Sequence, residues 1–247
     1  MAYTNSPLAT VKILSPKHSG LRKHTIDTIT IHCVVGQCTA KSLGEYFLTT
    51  SREASSNYGI GKNGDIGLYV EEKNRSWCSG GKDKNGNVIR VNGISGADND
   101  HRAVTIEVAS DTTHPYAVTD AAYKALLDLV TDICERNDIK ELKWKGDKSL
   151  VGQIDKQNMT VHRWFALKEC PGDFLYNKLP EIAAEVNKRL KAKKFTTGSE
   201  IVKALVNNHG VEINEREAAI KAIDGAKTNP NFRSLYWILY KVVNGNG

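Results

Sequence analysis

The chain predicts an α/β fold: a mixed β-sheet flanked by helices, followed by a small all-helical unit. Three observations carry that expectation. Two β-branched runs, 27–32 and 103–108, read as core strands, and an Asn63-Gly64 pair between apolar runs reads as a hairpin. Between and after them lie apolar stripes at helical spacing. Beyond residue 199 the strand signals stop and only short amphipathic patterns remain.

Taken in order, residues 1–23 contain Pro7, Pro16 and Gly20 and read as an ordered arm or loops. The run Asp27-Thr28-Ile29-Thr30-Ile31-His32 alternates polar and β-branched residues and delivers an imidazole at its carboxyl end. Thr39 is a good helix cap, with Leu43, Tyr46, Phe47 and Leu48 at helical spacing behind it. The segments 58–60 and 66–70 flank the Asn-Gly turn and place Tyr58 on a strand. From Arg75 to Asp100 the chain is glycine-rich and polar, a long loop suited to walling a cleft. Ala103 to Val108 ends near Glu107, a carboxylate that needs a partner such as Arg102 or Arg163, or a metal site, because burying it alone is costly. A helix follows from Thr119 to about Asn137, then a loop carrying Trp144, expected near the site. A second long helix follows Pro171, with its stripe running from Leu175 to Leu190.

The stretch Thr160 to Gly172 concentrates the chemistry. It sets His162, Lys168 and Cys170 within nine residues. Imidazole and thiolate are ligands that Zn²⁺ prefers, and three protein ligands plus a water make a catalytic site. His32 is the candidate third ligand. Cys170, just before a helix, is expected to have its thiolate favoured by the helix amino end.

Composition bounds the rest. Of 247 residues, 40 % are hydrophobic and 25 % charged, which suits a globular protein with one core of up to ~190 residues and a small appendage. No window approaches the ~20 apolar residues of a membrane span, and the first residues lack the pattern of a secretory signal, so membrane insertion is not expected. Five cysteines at irregular spacings argue against a disulfide framework and suit a reducing compartment. The formal charge of +6 would favour an anionic polymer, and composition does not separate nucleic acid from wall teichoic acid. The domain expectation is 1–194 as the catalytic unit, 195–199 as a linker, and 200–247 as a small helical unit with elements at 200–208, 214–224 and 231–243.

These motifs resemble the zinc-dependent N-acetylmuramoyl-L-alanine amidases, the type 2 amidase and peptidoglycan-recognition-protein family that includes phage endolysins. The resemblance rests on His32, on the segment Ser56 to Ile66, on Arg102 to Glu107, and on His162, Lys168 and Cys170 followed by Pro-Gly, and it covers roughly residues 24–190. It implies Zn²⁺ on His32, His162 and Cys170, and catalytic roles for Glu107, Lys168 and Tyr58. It implies bacterial peptidoglycan, with a Gram-positive wall, as the partner, and no nucleic acid. A phage endolysin made in the host cytoplasm would need a separate permeabilising protein to reach the wall. By the same analogy the last fifty residues bind the wall, with a homodimer through these helices as the competing use. Asn57 and Cys78 stand where many relatives have His, which bears on substrate contacts more than on the metal. Two other readings remain: a non-catalytic peptidoglycan-binding module, and a structural zinc closed by Cys33 or Cys38.

Overall fold

The computed structural model describes residues 3–191, 197–209, 211–228 and 233–244. The chain divides into two compact units, Met1–Leu190 and Lys191–Gly247.

The first unit is built on a six-stranded sheet. In chain order its strands are β1 (Val11–Lys12), β3 (Thr28–Cys33), β4 (Tyr58–Ile60), β5 (Ile66–Leu68), β9 (Ala103–Val108) and β10 (Met159–Val161). They lie side by side as β1-β5-β4-β9-β3-β10. Only the hairpin pair β4–β5 is antiparallel, so the sheet is mixed, as the sequence predicts. The arm contributes more than loops: β1 extends the sheet, and β2 (His18–Leu21) pairs with β6 (Asn74–Ser76). A short ribbon of β7 (Arg90–Val91) and β8 (Ile94–Ser95) interrupts the long loop.

The central strands β3 and β9 are buried on both faces, and their alternation divides the labour. Ile29, Ile31, Val104 and Ile106 join Tyr58 and Ile60 in the main apolar core, together with residues of α3 (Asp120–Arg136) and α4 (Gly172–Lys191). Thr119 caps α3 by accepting from the Ala122 amide. The alternate residues Thr30, His32, Thr105 and Glu107 belong to the other face. There, α1 (Ala40–Thr49) starts at a Thr39–Ser42 capping box and buries Leu43 and Phe47 around Tyr69, while Tyr46 and Leu48 stay exposed.

Inside the long loop a further helix forms, α2 (Gly96–Arg102), capped reciprocally by Ser95 and Asp98. Gly96 is needed there, because a Cβ would sit 2.1 Å from the Ser79 carbonyl oxygen. Trp144 stacks on Trp164 with ring centroids 5.2 Å apart and meets Tyr176 edge-on, so it belongs to an aromatic cluster on the core and not to the site.

The second unit comprises α5 (Gly198–His209), α6 (Arg216–Thr228) and α7 (Arg233–Asn244). Its own small core includes Ile201, Leu205, Ile223, Tyr236 and Tyr240. Helix α5 begins within the stretch read as a linker; residues 195–196 of that stretch, Asn231, and the basic Lys193 and Lys194 lie outside the described residues.

Candidate metal centre

Strand β3 ends with His32 and Cys33, and β9 places Glu107 directly across the ladder from His32. Strand β10, on the other side of β3, runs into a single turn, His162–Trp164. The chain then reaches Cys170 just ahead of α4. Three segments far apart in sequence thus converge: one nitrogen of His32, one of His162 and the Cys170 sulfur all lie within 4.8 Å of one another. The imidazole rings meet edge-on with centroids 5.0 Å apart, and Cys170 Sγ is 3.4 Å from His32 Nδ1. Bond lengths of ~2.0–2.3 Å to a tetrahedral zinc place neighbouring ligand atoms about 3.3–3.6 Å apart, and the Cys170–His32 separation of 3.4 Å falls in that range.

The remaining atoms of these side chains are tied down. His32 Nε2 is 3.4 Å from the Ser79 hydroxyl, and the Gly80 carbonyl accepts from His162, which leaves His162 Nε2 buried. Among the described residues that nitrogen has no hydrogen-bond partner. Outer contacts of this kind fix which nitrogen is offered to a metal. Burial, reinforced by His162, holds the His32 imidazole well below its usual pKa, and burial lowers that of His162 to about 4, with Lys168 adding to the shift. Both rings are therefore neutral, the ligand-competent form. Burial pushes the Cys170 thiol up, with Cys33 and Glu107 adding to the rise. The expected help from the helix amino end is outweighed, and a thiolate at Cys170 calls for a cation beside it.

Glu107 pairs with neither expected arginine: Arg102 binds Asp27 at 2.5 Å and Arg163 binds Asp173 at 3.1 Å. Its Oε1 lies 4.0 Å from His32 Nδ1 and 3.8 Å from the Cys78 sulfur, and Oε2 is buried with no partner among the described residues. Burial, with the Cys33 sulfur adding to it, pushes this carboxyl up to about 8. A second group, His32, Cys78 and Glu107, also falls within 4.8 Å. In that group Cys78 donates to Glu107 Oε1, so the cysteine and the carboxylate already meet each other.

Two adjoining hollows of about 510 and 630 Å³ share Arg52, Ala54, His162 and Lys168. Glu107 and Cys170 line the first, and Arg75, Trp77 and Cys78 the second. Lys168 therefore stands at the junction of the cleft.

Tyr58 corrects the sequence reading. Its ring is fully buried, and its hydroxyl donates to Glu72 at 2.7 Å while accepting from the Ser6 amide at 2.7 Å. Along β4 the neighbour that faces Glu107 across the ladder is Gly59, so Tyr58 points into the core. The residues that sequence reasoning missed are the supports. Asp100 on α2 accepts from the Cys78 and Ser79 amides, both at 2.9 Å, and so holds the loop that presents Ser79 and Gly80 to the two histidines. The capping pattern Ser95-x-x-Asp98 was the signal that could have revealed α2.

None of the curated proteins compared matches the chain. Among solved structures, a selenomethionine derivative of AmpD is similar at 19 % identity and a TM-score of 0.51, covering 74 % of this chain and 99 % of that one. A mutant endolysin from Bacillus subtilis is similar at 16 % identity and a TM-score of 0.48, with 71 % and 97 % covered. The peptidoglycan recognition protein SA of Drosophila is similar at 16 % identity and a TM-score of 0.43, with 65 % and 81 % covered. The family model described as N-acetylmuramoyl-L-alanine amidase matches residues 22–173, a span that holds His32, Glu107, His162, Lys168 and Cys170. More than half of the chain is matched, and it belongs to the N-acetylmuramoyl-L-alanine amidase family.

Proposed function

We propose that the chain hydrolyses the amide between the lactyl group of N-acetylmuramic acid and the L-alanine of the peptidoglycan stem peptide, with Zn²⁺ held by His32, His162 and Cys170. The observation that carries this reading is the convergence of two neutral imidazoles and a thiol within 4.8 Å at the wall of an open cleft, with His162 Nε2 unpartnered among the described residues. A zinc ion bound there would lower the pKa of a bound water and polarise the scissile carbonyl. Glu107, beside His32 and with a free carboxylate oxygen, takes a proton from the attacking water and returns it to the leaving amine; a carboxyl near 8 suits a group that must do both close to neutral pH. Lys168, at the mouth of the cleft, places a cation where the carbonyl oxygen develops charge. Tyr58 has no part in this chemistry.

The structural-zinc reading fares worse, because among the described residues neither Cys33 nor Cys38 joins the ligand group as a fourth donor. A binding-only module would have no use for Glu107 held beside the ligands. We take the three-helix unit as a wall-targeting element of an endolysin acting on a Gram-positive wall, with homodimerisation as the alternative. No helix among the described residues is long and apolar enough to cross a membrane. Access to the wall would then depend on a permeabilising partner.

Mass spectrometry of digested peptidoglycan is expected to show new amino termini on L-alanine, abolished by a chelator and restored by zinc. Cys170→Ser is expected to lose bound zinc and activity together. Products cleaved at any other bond would overturn the assignment.

A further inference from the structure

The segment from His162 to Cys170 carries two of the proposed ligands, and its last part has little to pin it: Leu167, Lys168 and Glu169 are exposed. Exposed backbone with few apolar contacts opens at low cost, so a ligand at its end needs another restraint. One side chain supplies it. The Arg163 guanidinium donates twice to the Glu169 carbonyl, from Nε at 3.2 Å and from Nη2 at 2.5 Å. The Gly172 amide, at the start of α4, donates to the same carbonyl at 2.9 Å. Nη2 also reaches Asp173 in the first turn of α4 at 3.1 Å, and the guanidinium lies over the Tyr176 ring, 4.5 Å from its centroid. On the main chain, the Arg163 amide donates to the Cys170 carbonyl at 3.0 Å. The residue that follows one proposed ligand therefore grips both the residue that precedes another and the carbonyl of that ligand itself.

We propose that Arg163 is a positioning residue for the metal centre: its guanidinium fork holds the segment 168–170 so that the Cys170 sulfur stands beside the two imidazoles before any ion arrives. A planar fork with fixed donors, stacked on an aromatic ring, gives up little freedom in making these bonds. Holding a ligand in place beforehand removes an ordering cost that binding would otherwise bear. Arg163 is not among the described residues lining either hollow of the cleft, so its influence passes through the span it grips. Lys168 lies within that span and is placed by the same restraint. The Tyr116 hydroxyl adds a more exposed tie, donating to the Glu169 carboxylate at 2.7 Å. A contrast lies near the other end of α4, where Arg189 bonds Asp128 at 2.8 Å and Glu185 at 2.9 Å without holding any site residue. The inference rests on Cys170 being a ligand, and the test separates failure of that reading from failure of the clamp.

The full chain is stripped of metal and titrated with zinc against a chelating indicator, and separately with Co²⁺, whose bond to a thiolate gives a charge-transfer absorption band. The parental chain is expected to show that band; its absence there would overturn Cys170 as a ligand and the inference with it. Arg163→Met keeps an apolar stem over Tyr176 and removes the fork. It is expected to bind zinc about 10–100-fold more weakly and to show a weakened band. Arg189→Met is expected to lower Tm and to leave zinc affinity at the parental value. Parental zinc affinity and a parental band in Arg163→Met would overturn the clamp while leaving Cys170 a ligand. An equal loss of affinity in Arg189→Met would also overturn it, by tracing the effect to a loosened fold. Should Arg163→Met fail to fold, Arg163→Lys takes its place: it keeps the charge without the fork, so a fall in zinc affinity supports the clamp and parental affinity overturns it.

Discussion

The two faces of the central sheet are made by the same strands and are both largely buried, yet they do opposite work. On the helix side, Ile31 and Ile106 are fully enclosed by apolar neighbours. One residue further along each strand, His32 and Glu107 turn the other way into a polar layer. That layer is hydrogen-bonded nearly throughout: Thr30 meets Thr160 at 2.7 Å, Asn99 bridges both, and Thr105 meets Ser76 at 2.8 Å. The exceptions among the described residues include His162 Nε2 and Glu107 Oε2, both at the cleft. Burial alone therefore does not mark the site. What sets it apart is the meeting of two such atoms, on His162 and Glu107, with His32 and Cys170 at one cleft.

Substitutions should separate the faces by what they damage. The largest effect is expected from Glu107→Gln, which keeps shape but removes the proposed proton carrier: kcat is expected to fall about 10²–10⁴-fold with zinc content and Tm nearly unchanged. Loss of fold in that variant would mean the carboxylate is structural. Lys168→Ala follows, with a fall of about 10²–10³-fold in kcat and no loss of zinc; wall lysis at the parental rate would remove Lys168 from the mechanism. On the opposite face, Ile106→Ala is expected to cost about 2–5 kcal/mol in denaturant unfolding while the folded fraction keeps its kcat. The smallest effect is assigned to Tyr58→Phe. It leaves Glu72 and the Ser6 amide short of one partner, costs about 1–3 kcal/mol, and spares activity. A collapse in kcat with unchanged stability would return Tyr58 to the site.

Much of this division was legible from the residues. Alternation in 27–32 and 103–108 announced both strands, and the segment carrying His162 and Cys170 was singled out before the structure brought both beside His32. The hairpin signal rightly placed Tyr58 on a strand, but its role at the site came from the resemblance, and a strand signal does not say which way its first residue points, since a shift of one residue reverses the face. Glycine now occupies the place facing Glu107, and no side-chain pattern advertises a glycine. The outer supports were hidden for a different reason. Asp100, Ser79 and Gly80 act through backbone amides and a carbonyl, and α2 is only seven residues long inside a polar stretch.

His32 and Glu107 are partners across adjacent strands, and their separation is consequently inherited from the ~4.8 Å spacing of a sheet and not from any loop. The ladder acts as a ruler. Segments outside the ladder, such as 82–95, can differ in length or sequence while the spacing between the His32 imidazole and the Glu107 carboxylate stays the same, which makes this scaffold a ready host for grafted loops.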